Sequence, residues 1–151
     1  MHETRRQSTE VAVIDRGDAR YPEAAMRLLA VSRDGDWNGW VSFFLTAVVE
    51  QAAVNTQKTR QILALYERMK TEVPTVIRSQ YAVQAIDALF DRPIFRIADF
   101  IRRSGIPTAT ARRILNALRE QGRIRDLRPG RGRRAVILIF PELIGITEGR
   151  G

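Results

Sequence analysis

The chain has 151 residues, 44% of them hydrophobic, with 25 basic against 17 acidic side chains and a net charge of +8. This is the composition of a globular protein of one or two domains, and the absence of cysteine excludes disulfides and thiolate chemistry. No apolar run approaches the roughly 20 residues that span a bilayer, and the polar start Met1-His2-Glu3-Thr4 lacks the apolar core of a signal peptide, so no membrane is expected and the cytoplasm is the expected compartment.

Residues 1–20 read as an N-terminal extension, disordered or strand-like, ahead of a helical segment over 21–72. Pro22 suits a first helical position, and Ala25, Leu28, Leu29 and Val31 give a short amphipathic helix. Asp34-Gly35-Asp36 stops it, and Asp36 is placed to cap the next helix by accepting from its free opening amides. With no histidine or further acids nearby, Asp34 and Asp36 do not read as a metal pair, and no metal site is expected. A stripe at 3.6-residue spacing then runs through Trp40, Phe43, Phe44, Ala47, Val48, Gln51, Ala52, Asn55, Ile62, Leu65, Tyr66 and Met69 to about Glu72. Trp37, Trp40, Phe43 and Phe44 are expected to pack, and so long a helix predicts something to pack on: a missing domain, the second segment, or a homodimer through residues 37–72.

A second segment, residues 73–151, begins at Glu72-Val73-Pro74-Thr75. Tyr81, Val83, Ile86, Leu89 and Phe90 mark a helix ended by Pro93, and Ile94–Ile97 a short extended piece. A short helix over Ala98–Ser104 ends at Gly105, which suits a left-handed cap. Ile106 then enters the core, and Pro107-Thr108 starts another helix. In that helix Ala111, Ile114, Leu115 and Leu118 share one face, leaving Ala109, Arg112, Arg113 and Asn116 opposite. Two strands follow, Ile124–Leu127 and Ala135–Phe140, around an arginine-rich turn. The predicted fold is therefore mainly α: a helical segment, then a winged helix-turn-helix with a small antiparallel β-wing.

Charge is concentrated in this second segment. Residues 101–135 hold eleven arginines against Glu120 and Asp126, a balance of +9, so the rest of the chain carries 14 basic and 15 acidic residues. A focused patch is what a polyanion needs, and duplex DNA is the predicted partner. Arg112 and Arg113 can read guanine, Asn116 can pair with adenine, and Thr108 or Thr110 can reach phosphate from the helix start. Arg128, Arg131, Arg133 and Arg134 of the wing would lie on the sugar-phosphate backbone. The competing reading is an interaction module whose arginines face an acidic protein surface.

Tyr21, Leu28-Leu29-Ala30-Val31, Gly35-Asp36-Trp37, Trp40, Phe43-Phe44-Leu45, Val48, Glu50-Gln51-Ala52 and Ile62-Leu63-Ala64-Leu65-Tyr66-Glu67 resemble the part of Fic-family proteins that follows their catalytic motif. With the winged-helix segment after it, the resemblance covers about residues 15–146. What the resemblance implies is a family that transfers AMP from ATP to protein hydroxyls, by an HPFxDGNGRxxR loop. That loop is absent: the one histidine, His2, is followed by Glu-Thr-Arg-Arg, and Asp15-Arg16-Gly17-Asp18-Ala19-Arg20 lacks the Pro-Phe, the Gly-x-Gly and the base. No residue inherits a catalytic role, no cofactor is expected, and the chain is similar to a C-terminal portion whose further partner is a Fic catalytic domain.

Overall fold

The computed structural model describes residues 20–130 and 135–149. The N-terminal extension read over residues 1–20 lies outside them, except that Arg20 opens the first helix. Helices α1 (Arg20–Asp34), α2 (Trp37–Ile77), α3 (Ala82–Asp91), α4 (Ile97–Ser104), α5 (Thr108–Glu120) and α6 (Pro141–Thr147) accompany strands β1 (Ile94–Arg96), β2 (Arg125–Arg128) and β3 (Ile137–Ile139). The chain is mainly helical with one small antiparallel sheet, as its periodicity predicts. Two compact units divide between Val54 and Asn55 rather than near residue 73, so α2 contributes residues to both.

In the first unit, Gly35 (φ 69°) ends α1 in the left-handed conformation that glycine adopts without steric cost. Asp36 Oδ1 then accepts from the Gly39 amide at 2.9 Å, the N-cap its position predicts. Trp40, Phe43 and Ala47 of α2 are half-buried, and Phe43 and Ala47 line a cavity with Glu23 and Arg27 of α1. Trp37 and Phe44 do not pack as expected. They remain 63% and 54% exposed, and among the described residues of this unit no side chain is buried.

The second unit owns the core. Leu65, Met69, Val73 and Ile77 of α2 are buried, at i, i+4, i+8 and i+12, against Ile86 and Leu89 of α3, Phe100 of α4, and Ile114, Leu115 and Leu118 of α5. Tyr66 meets Phe90 edge-on, with centroids 5.1 Å apart, and Phe90 meets Phe140 at 5.6 Å, so one aromatic chain joins α2, α3 and the start of α6. The Tyr66 hydroxyl donates to Asp87 Oδ1 at 2.6 Å, and that hydrogen bond pushes the phenol pKa up.

Pro74 does not end α2, which continues to Ile77. A proline inside a helix forfeits one backbone hydrogen bond and costs about 3 kcal/mol. Burying Val73 and Ile77 on either side returns about 1.5–3 kcal/mol each, enough to carry the helix through. The helix stops instead at Arg78, whose φ of 46° makes it the one described non-glycine residue in the left-handed region. Arg78→Gly removes that strain, and a gain of about 0.5–1 kcal/mol is expected, because glycine's extra freedom in the unfolded chain offsets part of the relief. Thermal melts check it: the glycine variant should melt a few degrees higher, and Arg78→Ala should show no such gain.

β3 lies between its partners in the order β1-β3-β2, antiparallel to both. Phe95 and Leu138 face each other in register and are buried, so the sheet closes one side of the core. The register slips between Asp126 and Arg128, which leaves Leu127 51% exposed. Glu142 of α6 is bonded by Arg68 of α2 and lies 3.8 Å from Arg123, which also holds Glu72. Each ion pair is half-exposed and worth ~1 kcal/mol or less, but together they tie α6 and the start of the wing to α2.

Candidate nucleic-acid interface

Gly105 adopts φ 65° after α4, and Ile106 is buried behind it, so the turn into α5 is pinned at both ends. The apolar face of α5 is buried without exception at Ala111, Ile114, Leu115 and Leu118. Ala109, Arg112, Arg113, Asn116 and Glu120 are consequently all exposed. Thr108 is exposed at the start of the helix and Thr110 is half-buried. Ala109 and Asn116 lie at the middle of the outward face, with Arg112 on one flank and Arg113 on the other.

The two arginines are not equivalent. Arg113 Nη1 donates to the Ile77 carbonyl at 3.5 Å and so caps the C-terminus of α2, where a cation is favoured by the helix dipole. Arg112 has no hydrogen-bond or ion-pair partner among the described residues. Its flank is shared by Arg119 at i+7, which pairs with Asp126 of β2 at 2.6 Å, so that flank faces the sheet.

The same division runs through the whole basic block. Arg102 is held by Asp99 at 2.8 Å, Arg103 by Asp91 at 2.5 Å, and Arg123 by Glu72. Arg103 is only 17% exposed, and its Nε and Nη2 are buried without a partner. Arg112, Arg125 and Arg128 are left with neither an acidic nor a carbonyl partner for their side chains among the described residues. All four residues of β2 are exposed, so Arg125 and Arg128 are available on the wing strand. Arg131, Arg133 and Arg134 lie outside the described residues.

Arg96 was not singled out by its sequence context, because it falls ahead of the basic block. In β1 the alternation exposed, buried, exposed turns Phe95 inward and Arg96 outward. A groove of about 420 Å³ is lined by Arg96 through Asp99, by Arg112, and by Ala135 and Val136 where the chain returns from the wing. Two arginines from separate elements, neither with an acidic partner among the described residues, thus share one groove. The period-2 pattern of Ile94-Phe95-Arg96 was the available signal for Arg96, but nothing local connects it to Arg112.

Among the described residues, no helix is long and apolar enough to cross a membrane, and no group of three or more metal-ligating side chains is gathered. No protein-family model and no curated protein matches the chain.

Proposed function

We propose that this chain is the non-catalytic, DNA-binding winged-helix portion of a Fic-related protein. The observation that carries the reading is the outward face of α5, where Arg112 and Asn116 stand exposed above a fully buried apolar face, beside a wing strand with two exposed arginines, none of the four side chains having a partner among the described residues. A helix of that kind fits the major groove, and arginines on the adjacent strand fit the phosphates. Asn116, at the middle of the face, is the residue for a base edge, and Thr108 can reach phosphate from the helix start. Glu120 on the same face repels phosphate, so contact is confined to the first turns of the helix. The Fic relationship rests on the resemblance over residues 15–146 and brings a catalytic domain as a further partner.

Fluorescence anisotropy with labelled duplexes tests the reading. Arg128→Ala should weaken binding to every sequence and lower the slope of log affinity against log salt by about one. Asn116→Ala should cost about 1–3 kcal/mol on a site selected from a random library and little elsewhere. If the unaltered chain binds no duplex near 100 mM salt, where even non-specific binders with several phosphate contacts are retained at micromolar levels or weaker, the basic face serves an acidic protein surface.

A second reading concerns the first unit, whose exposed apolar side chains favour self-association. The homodimer uses α2 from Trp37 to Val54, and not the full span 37–72, because Leu65 and Met69 are consumed by the core of the second unit.

A further inference from the structure

We propose that Arg96 and Arg112 jointly hold a phosphodiester group of the DNA backbone in the groove they share, which makes Arg112 a backbone contact and not a reader of bases. This rests on the DNA-binding reading and adds to it a site that begins outside the basic block.

The two arginines come from different elements, the end of β1 and the first turns of α5, and both line the same groove. Neither has an acidic partner among the described residues. The one acid lining the groove among the described residues, Asp99, is already bonded by Arg102 through its Oδ1 at 2.8 Å. Two cationic residues lining one groove outweigh its single carboxylate among the described residues, and the positive potential that results favours an anion. Guanidinium offers phosphate two parallel donors in a planar fork, which a lone ammonium cannot.

The walls suit a nucleic-acid strand better than a free ion. Ile97, Ala98 and Val136 line the groove beside the two arginines, and an apolar wall can be covered by a deoxyribose while the charged pair takes the phosphate. Arg112 is also in the wrong place for a base. It occupies the flank that faces the sheet, whereas the middle of the outward face, where a base edge would be met, belongs to Ala109 and Asn116.

The test compares the full chain with Arg96→Ala, Arg112→Ala and the double variant on two duplexes of unrelated sequence, across a salt series. Each single change should weaken binding roughly three- to tenfold on both duplexes and lower the salt slope by about one. The Lys variants, which keep the charge and lose the fork, should recover part of the affinity. Circular dichroism melts should match the unaltered chain, since both side chains are exposed.

Affinity unchanged in Arg96→Ala would overturn the groove while leaving DNA binding intact. A loss in Arg112→Ala confined to one sequence would return that residue to base readout and overturn the proposal equally. Failure of the unaltered chain to bind any duplex would remove the DNA reading itself. If inorganic phosphate alone then saturated the groove, followed through the amide shifts of Ile97–Asp99, the ligand would be a small anion and the nucleic-acid assignment would be overturned.

Discussion

A fragment spanning residues 73–151 is expected to remain unfolded, whereas a fragment spanning 55–151 folds cooperatively. Composition and the Val73-Pro74 junction favour the first boundary, but the core does not respect it. Beginning at residue 73 removes Leu65 (3% exposed) and Met69 (fully buried) outright, and each such loss costs about 2–5 kcal/mol. It also removes the Tyr66 ring from Phe90, the hydrogen bond from Lys58 Nζ to the Thr147 carbonyl, and both Arg68 and Glu72 from the ion pairs that hold α6 and Arg123. The total of ~5–10 kcal/mol equals the whole stability of an ordinary small domain. Urea titration followed by far- and near-ultraviolet circular dichroism decides it. A cooperative transition with native-like aromatic signal in the 73–151 fragment would show that α3 to α6 make a sufficient core without α2.

The unaltered chain is expected to sediment as a dimer, and Phe44→Glu combined with Val48→Glu is expected to make it a monomer. Between Trp37 and Val54 the helix carries one charged residue, Glu50, and its apolar character extends around more than one face. One side, with Trp40, Phe43 and Ala47, is half-buried, and Phe43 and Ala47 line the cavity formed with α1. The other, with Trp37, Val41, Phe44, Leu45 and Val48, is 48–63% exposed throughout. Aromatic and aliphatic side chains at that exposure form a patch of roughly 400–600 Å² on α2 alone, at the upper end for a protein that lives as a monomer. Met26, Leu28 and Leu29 of α1 are also more than half exposed.

A second copy is a suitable cover, because a two-fold axis sets an apolar face against itself and two helical hairpins make four helices around one core. The charge of this unit does not oppose it: residues 1–54 carry six arginines against eight acidic side chains, a balance of −2. Two glutamates buried at the centre should weaken association at least a hundredfold, since a charge without a partner there costs several kcal/mol. Sedimentation velocity at about 50 µM, above a micromolar Kd, reads the result. A monomeric unaltered chain at that concentration would overturn self-association through this face.

Much of the winged helix was legible in the sequence because its signals are local. Gly105 and Gly122 mark chain reversals that need positive φ, and both have it. The i, i+3, i+4, i+7 spacing of Ala111, Ile114, Leu115 and Leu118 orients α5 by itself, and with it the outward placement of Arg112 and Asn116. Asp36 was readable as a cap for the same reason, since its acceptor and the amide it serves are three residues apart. The helix α6 went unread: it is a single short stretch behind Pro141, with Leu143 its one buried residue, too brief to show a period.

Only the tertiary structure decided how the two halves of α2 differ. Phe44 and Leu65 belong to one periodic stripe, yet one is 54% exposed and the other 3%, because burial depends on what stands opposite and periodicity reports only that something could. The arginines divide on the same principle. Eleven of them look alike along residues 101–135, but Arg102, Arg103, Arg119 and Arg123 meet carboxylates, and Arg113 meets the last carbonyl of α2. Arg123 and Glu72 are 51 residues apart in the chain, and Arg113 and Ile77 are 36 apart, separations that no local pattern encodes. Net charge is additive and can be counted from the sequence, whereas the charge left unpaired for a ligand depends on which side chains the fold brings within hydrogen-bonding distance.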